Sequence, residues 1–167
     1  SSIEKLFNKL HERVETKGDK FEIFVKLFLE TDPTFKKIFK KIYFYEKWEY
    51  KWGPVDLGTD LIGETHDNKI WAIQAKCHKP EYSIKKEDID SFLSDSNRKN
   101  VNNRLLIATT NKISNNGYQT IHGQEKPVRL FLLKDFKNIN SLNFDYFSKT
   151  KKDKIKIKEP RPYQRKI

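Results

Sequence analysis

The chain has 167 residues, enough for one domain with a sizeable core and short for two. A single cysteine, Cys77, rules out an internal disulfide framework and fits a reducing cytoplasm; no apolar run reaches the roughly 18–20 residues that span a bilayer, and no signal-peptide pattern opens the chain, so no membrane partner is expected. Lys and Arg number 34 against 23 Asp and Glu, a formal charge of +11, which favours a polyanionic partner such as nucleic acid and is equally typical of a lysine-rich surface encoded by an AT-rich genome.

Aromatic residues are abundant (12 Phe, 7 Tyr and 3 Trp), so a real core is expected, and the absence of Met suggests a piece of a longer chain. Ile3, Leu6, Phe7, Leu10 and Val14 recur at helical spacing and predict a helix over 3–15. Gly18 interrupts it, and Asp19 can cap a second helix through about Glu30. Apolar residues cover most of that helix; Glu22, Lys26 and Glu30 form a narrow polar stripe at four-residue spacing. Pro33 permits a short further helix with Phe35, Ile38 and Phe39. Residues 41–50 have the aromatic enrichment of a strand, and 51–60, with two glycines and a proline, read as a loop. After a hairpin over 60–76 come a helix over 83–95, with Ser83 as its N-cap and Ile84, Ile89, Phe92 and Leu93 inward, and an apolar strand over 104–110. A helix over 112–122 and a strand over 128–133 follow. This order predicts an α/β domain with a mixed sheet. Residues 149–158 are a basic, low-complexity run with linker character, which places the end of a globular domain spanning 1–148 just before it.

The hairpin concentrates the chemistry. A turn at Asp67–Asn68 joins strands over 60–64 and 70–76. Opposed residues then sum to about 135, which sets Asp60 opposite Gln74 or Ala75. Alternation puts Gln74 and Lys76 on one face and Ile73, Ala75 and Cys77 on the other. A hard divalent cation takes oxygen ligands, and the Asp60 carboxylate, the Gln74 amide oxygen and the Ala75 carbonyl could supply them. Lys76 could stabilise charge developing at a phosphate or orient an attacking water. If the polar seam of the second helix faces the hairpin, Glu22 adds another carboxylate. Lys79, Lys85 and Lys86 are candidate phosphate contacts.

Simpler readings exist for each residue. An Asp ahead of a strand commonly shapes a turn, and the Glu22–Lys26–Glu30 stripe is by default a solvated face. Asp56 fits a loop-shaping role better than a ligand role. His66 and His78 lack a second histidine at zinc-ligand spacing, Cys77 alternates into the core, and no Ser-His-Asp or Cys-His constellation has local support.

"GTDLIG" followed by "IWAIQAK", with "FE" in an upstream helix, resembles the Mrr-like branch of the PD-(D/E)xK nucleases. The resemblance implies a restriction-endonuclease-like α/β fold with a central mixed sheet. It implies Asp60 as metal ligand, Gln74 as the variant second ligand, Lys76 as the catalytic lysine and Glu22 as the helical acid, with Asp56 matching an earlier acid of the "D-x-G-x-D" form. Gln74 departs from the wider superfamily, where an acid is usual; a neutral ligand binds Mg²⁺ less strongly. "KKEDIDSFLSDS", "RLLIATTN" and "KPVRLF" extend the likeness to the nuclease domain of helicase-linked restriction enzymes, including the single-polypeptide Type ISP group. "PRPYQ", 160–164, resembles the segment before the ATP-binding loop of superfamily 2 helicases, and no G-x-x-x-x-G-K-[ST] motif is present.

The expectation is therefore a Mg²⁺-dependent DNA endonuclease domain, Mn²⁺ able to substitute, of a bacterial, cytoplasmic restriction–modification enzyme. Its expected partners are double-stranded DNA and the helicase-like ATPase, methyltransferase and target-recognition domains of the same polypeptide, with a second nuclease domain where cleavage needs two. ATP would enter only through the helicase part. The alternative is a noncatalytic DNA-binding or motor-docking module that retains the fold.

Overall fold

A helix carrying Phe21, Ile23, Phe24, Val25, Leu27, Phe28 and Leu29 has almost no polar surface, so it is stable only beneath other elements. The computed structural model, which describes residues 3, 5, 17–53 and 58–139, buries it accordingly as α1, Lys17–Thr31. Phe21, Phe24 and Phe28 stack along it at 6.0 and 6.1 Å, and Phe28 meets Phe35, Phe131 and Phe136. The Asp32 carboxylate then accepts from the Thr34 and Phe35 amides, and with Pro33 at the first position it starts α2, Pro33–Ile38.

Five strands form one sheet in the order β1 (Phe39–Phe44), β2 (Leu61–Thr65), β3 (Ile70–Lys76), β4 (Asn103–Ala108) and β5 (Val128–Phe131). The first three are antiparallel neighbours, and β3–β4 and β4–β5 are parallel. Each parallel step crosses over through a helix, α3 (Lys86–Asp95) and then α4 (Asn115–Ile121). Ile84, Ile89, Phe92 and Ile113 pack with Ala72, Leu106 and Ala108 on one face. On the other face α1 and a last helix, α5 (Leu133–Lys137), cover Leu61, Ile73, Leu105 and Ile107. The expected α/β architecture with a mixed sheet is the one observed.

Several boundaries differ from expectation for local reasons. The strand expected over 41–50 begins earlier and stops at Phe44; Tyr45–Lys47 is a 3-10 turn. The Tyr45 hydroxyl accepts from the Trp52 and Gly53 amides, so the aromatic run folds back on itself instead of extending. Ser83 does not cap α3. Ile84 is held extended against Ile113, its amide donating to Lys112 O and its carbonyl accepting from Ser114 N, and the helix starts only at Lys86. The last strand ends at Phe131, because the Asp135 carboxylate accepts from the Leu132 amide and opens α5 there. Apart from helical Ile3 and Lys5, the helix expected over 3–15 lies outside the described residues, as do Asp56 and everything beyond 139.

Candidate active site

The hairpin turns on Asn68, whose φ of 65° is tolerated by its short polar side chain. From there Glu64 pairs with Ile70 and Leu61 with Ile73, within one residue of the expected register. At Asp60 the ladder changes. The Asp60 amide donates to the Ile73 carbonyl at 2.9 Å, one residue off that register. Its carboxylate Oδ2, in place of a backbone carbonyl, accepts from the Ala75 amide at 2.8 Å. The carboxylate therefore lies near the plane of the sheet, fixed to the peptide nitrogen that separates Gln74 from Lys76. Because N–H and C=O of one strand residue point to the same side, the Ala75 carbonyl faces the Asp60 edge too, whereas the Lys76 carbonyl turns the other way and accepts from Thr109 N.

Gln74 and Lys76 follow Ala72 onto the α3 face. Gln74 is 3 % exposed, and its Oε1 is buried without a hydrogen-bond partner. Leaving such an oxygen unmatched costs about 1–3 kcal/mol, and a cation would satisfy it. A carboxylate leading into β2, with an amide oxygen and a carbonyl of the central strand β3, offers the oxygen donor types that suit a hard divalent ion. Among the described residues no three His, Cys, Asp or Glu side chains cluster as a metal site, so a cation here would depend on these mixed oxygens. The Lys76 ammonium stands 3.6 Å from Asp88 Oδ1 in the first turn of α3.

Glu22 occupies the other layer. It is 5 % exposed on α1, which packs against the face bearing Ile73, Ala75 and Cys77. Its burial overturns the reading of its stripe as a solvated face; only the outer pair, Lys26 and Glu30, is partly exposed, joined at 2.8 Å. The in-plane Asp60 carboxylate lies between these two layers. Lys79, Lys85 and Lys86 are all exposed beyond the end of β3. Lys86 pairs with Asp90 along α3 at 2.5 Å, a hydrogen bond that raises its pKa above the usual lysine value. The connection after Lys76 is strapped to the sheet by buried hydroxyls: Thr109 Oγ1 donates to His78 O and accepts from its amide, and Thr110 Oγ1 donates to Tyr82 O.

Three further residues shape the site. Gly58 has φ +123°, and a Cβ there would come 2.9 Å from Phe92 Cα, so only glycine lets the chain lie against α3. Asp95, at the end of α3, accepts from Thr59 N at 3.1 Å and from Trp52 Nε1 at 3.0 Å. Asp88 meets Lys76. The "GTD" glycine and an acid in the last helical turn were the available sequence signals for the first two; Asp88 offered none, since acids are ordinary in a first turn.

A family model described as restriction endonuclease matches residues 30–154, a span that contains Asp60, Gln74 and Lys76 and starts after Glu22. Among solved structures the chain is similar to the ATP-dependent Type ISP restriction–modification enzyme LlaBIII bound to DNA, at TM-score 0.65 and 23 % identity over 79 % of this chain and 8 % of that one. It is also similar to the DNA modification-dependent restriction endonuclease AspBHI (TM-score 0.54, 16 % identity, 80 % of this chain, 33 % of that one). The MspJI restriction endonuclease in complex with a 27-mer oligonucleotide gives TM-score 0.50 at 16 % identity, over 79 % and 28 % of the two chains. No curated protein matches. The chain thus spans a third or less of each of these enzymes. With the family model covering most of the sequence and the mixed sheet carrying the hairpin expected of a PD-(D/E)xK nuclease, the chain belongs to the restriction endonuclease family.

Proposed function

We propose that this chain is the DNA-cleaving domain of an ATP-dependent, translocating restriction–modification enzyme, hydrolysing phosphodiester bonds with Mg²⁺, for which Mn²⁺ can substitute. The observation that carries the reading is the Asp60 carboxylate bonded to the Ala75 amide, the peptide nitrogen between Gln74, whose buried Oε1 has no hydrogen-bond partner, and Lys76. Asp60, Gln74 and the Ala75 carbonyl would hold the cation, with Glu22 as an added acid from the α1 layer. When bound, the cation neutralises charge developing on the phosphate and favours ionisation of water.

The chain's own groups do the rest. Asp60 is held in one orientation by the sheet, so it needs no reorganisation on binding. Lys76 leaves Asp88 for a phosphate oxygen and donates to it as water attacks phosphorus, while the leaving oxygen departs on the opposite side. Lys79 and Lys85 hold flanking phosphates, and Lys86 joins them if it releases Asp90. The helicase-like ATPase, methyltransferase and target-recognition domains belong to the remainder of a polypeptide of the kind LlaBIII represents. Where cleavage needs two such domains, a second nuclease domain acts with this one, and double-stranded DNA in the bacterial cytoplasm is the substrate.

Nicking of supercoiled plasmid at high protein concentration, with Mg²⁺ or Mn²⁺, tests the proposal. Metal-dependent nicking that Asp60→Ala and Lys76→Ala both abolish, with folding intact, supports it. DNA binding without nicking, even in the full-length enzyme with ATP, would instead identify a noncatalytic module.

A further inference from the structure

We propose that Asp95 is a positioning residue of the cation site, acting through the Thr59 amide to hold Asp60 in place; this inference rests on the cation-site reading above. Asp95 is the last residue of α3 and is 6 % exposed. A carboxylate there faces the partial negative charge of the helix C-terminus, a mismatch of about 0.3–1 kcal/mol, and its burial adds a desolvation cost. Something local must offset both.

The offset comes from the segment leading into the site. Oδ1 accepts from Trp52 Nε1 at 3.0 Å and Oδ2 from Thr59 N at 3.1 Å, so one carboxylate holds residues on both sides of 53–58. Arg98 approaches it at 3.8 Å while lying over the Trp52 ring, 5.5 Å from its centroid. Gly58 is pressed against the α3 backbone at Phe92, which leaves the chain no slack before Thr59. Asp60 comes next, fixed in turn by Ile73 O and Ala75 N.

Seven residues earlier, about 10.5 Å along the same helix, Asp88 meets Lys76. One helix therefore contacts the resting Lys76 ammonium near its start and holds the segment leading to Asp60 at its end. Asn cannot replace Asp95 fully. Its amide offers one oxygen where two N–H donors need acceptors, so at most one of the two bonds survives on separate atoms.

Titration of Mn²⁺ into the chain, followed by electron paramagnetic resonance, with amide exchange at Thr59 followed by NMR, separates positioning from mere stability. Asp95→Asn should weaken Mn²⁺ binding by about 10–100-fold, as loss of an outer-layer partner does, and speed Thr59 exchange. Leu93→Ala, on the same helix and buried in the core, should lower the melting temperature and leave Mn²⁺ affinity within about twofold of wild type. Equal Mn²⁺ affinity in wild type and Asp95→Asn would overturn the role of Asp95 and leave the cation site standing. A parallel loss of affinity in Leu93→Ala would reduce Asp95 to a stability residue and overturn the inference. Absence of Mn²⁺ binding by wild type would overturn the cation-site reading itself, and this inference with it.

Discussion

The two faces of the sheet are packed from different materials. On the α1 face, Phe21, Phe24, Phe28, Phe35 and Phe136 meet aliphatic residues of the strands, with Glu22 the buried charged exception contributed by α1. On the α3 face and the loops beside it, Gln74, Asp95, Ser96, Arg104, Thr109 and Thr110 are buried among the apolar residues. Arg104 is the extreme case. Its guanidinium donates to Leu93 O, Ser96 Oγ and Lys126 O, which satisfies the end of α3, and burial pushes its pKa below the usual arginine value. Apolar contacts are non-directional and tolerate volume-conserving exchange; buried hydrogen bonds fix position and lose much when one partner goes. The α1 face thus supplies stability, and the α3 face supplies geometry.

Substitutions can sharpen this contrast. The largest effect on stability is expected for Phe28→Ala, which empties the middle of the phenylalanine stack. It should cost about 3–5 kcal/mol in denaturant unfolding, while the folded fraction still cleaves. Gly58→Ala should cost less, about 1–3 kcal/mol for a side chain forced into a left-handed backbone. It should nevertheless remove most cleavage, because Thr59 and Asp60 must shift away from Phe92. Chemical denaturation and plasmid nicking on the same samples would distinguish the two patterns. Asp88→Asn should have the smallest effect: the ion pair is long and partly exposed, so stability should change by less than about 1 kcal/mol. Cleavage should stay within about tenfold of wild type, since Lys76 is needed and its resting partner is not. A complete loss of activity in that variant would make Asp88 part of the chemistry.

The hairpin was legible in the sequence because two strong local signals agreed: an Asp-Asn turn and alternation that leaves one register for a half-buried strand. From that register the placement of Asp60 beside the 74–76 segment followed. The in-plane carboxylate was not legible, since it depends on the one-residue shift at Asp60, which periodicity cannot encode. The aromatic run after β1 misled for a related reason. Tyr45, Trp48 and Tyr50 suit a strand by propensity, and the Tyr45 hydroxyl overrides that preference by binding the Trp52 and Gly53 amides across a turn. Asp95 carried only the weak signal of an acid in a last helical turn, since its partners Trp52 and Thr59 lie 43 and 36 residues away.

Asp60→Asn is the most direct test, because Asn can still accept from the Ala75 amide and so keeps this tie to β3 while removing the charge. Nicking rates should be compared across a Mg²⁺ series, in the isolated chain or, where that is silent, in the full-length enzyme. The melting temperature should stay close to that of the wild type, and cleavage should fall by about 100-fold or more in a way that excess Mg²⁺ does not restore. Cleavage by Asp60→Asn at the wild-type rate and the same Mg²⁺ requirement would contradict the cation-site reading.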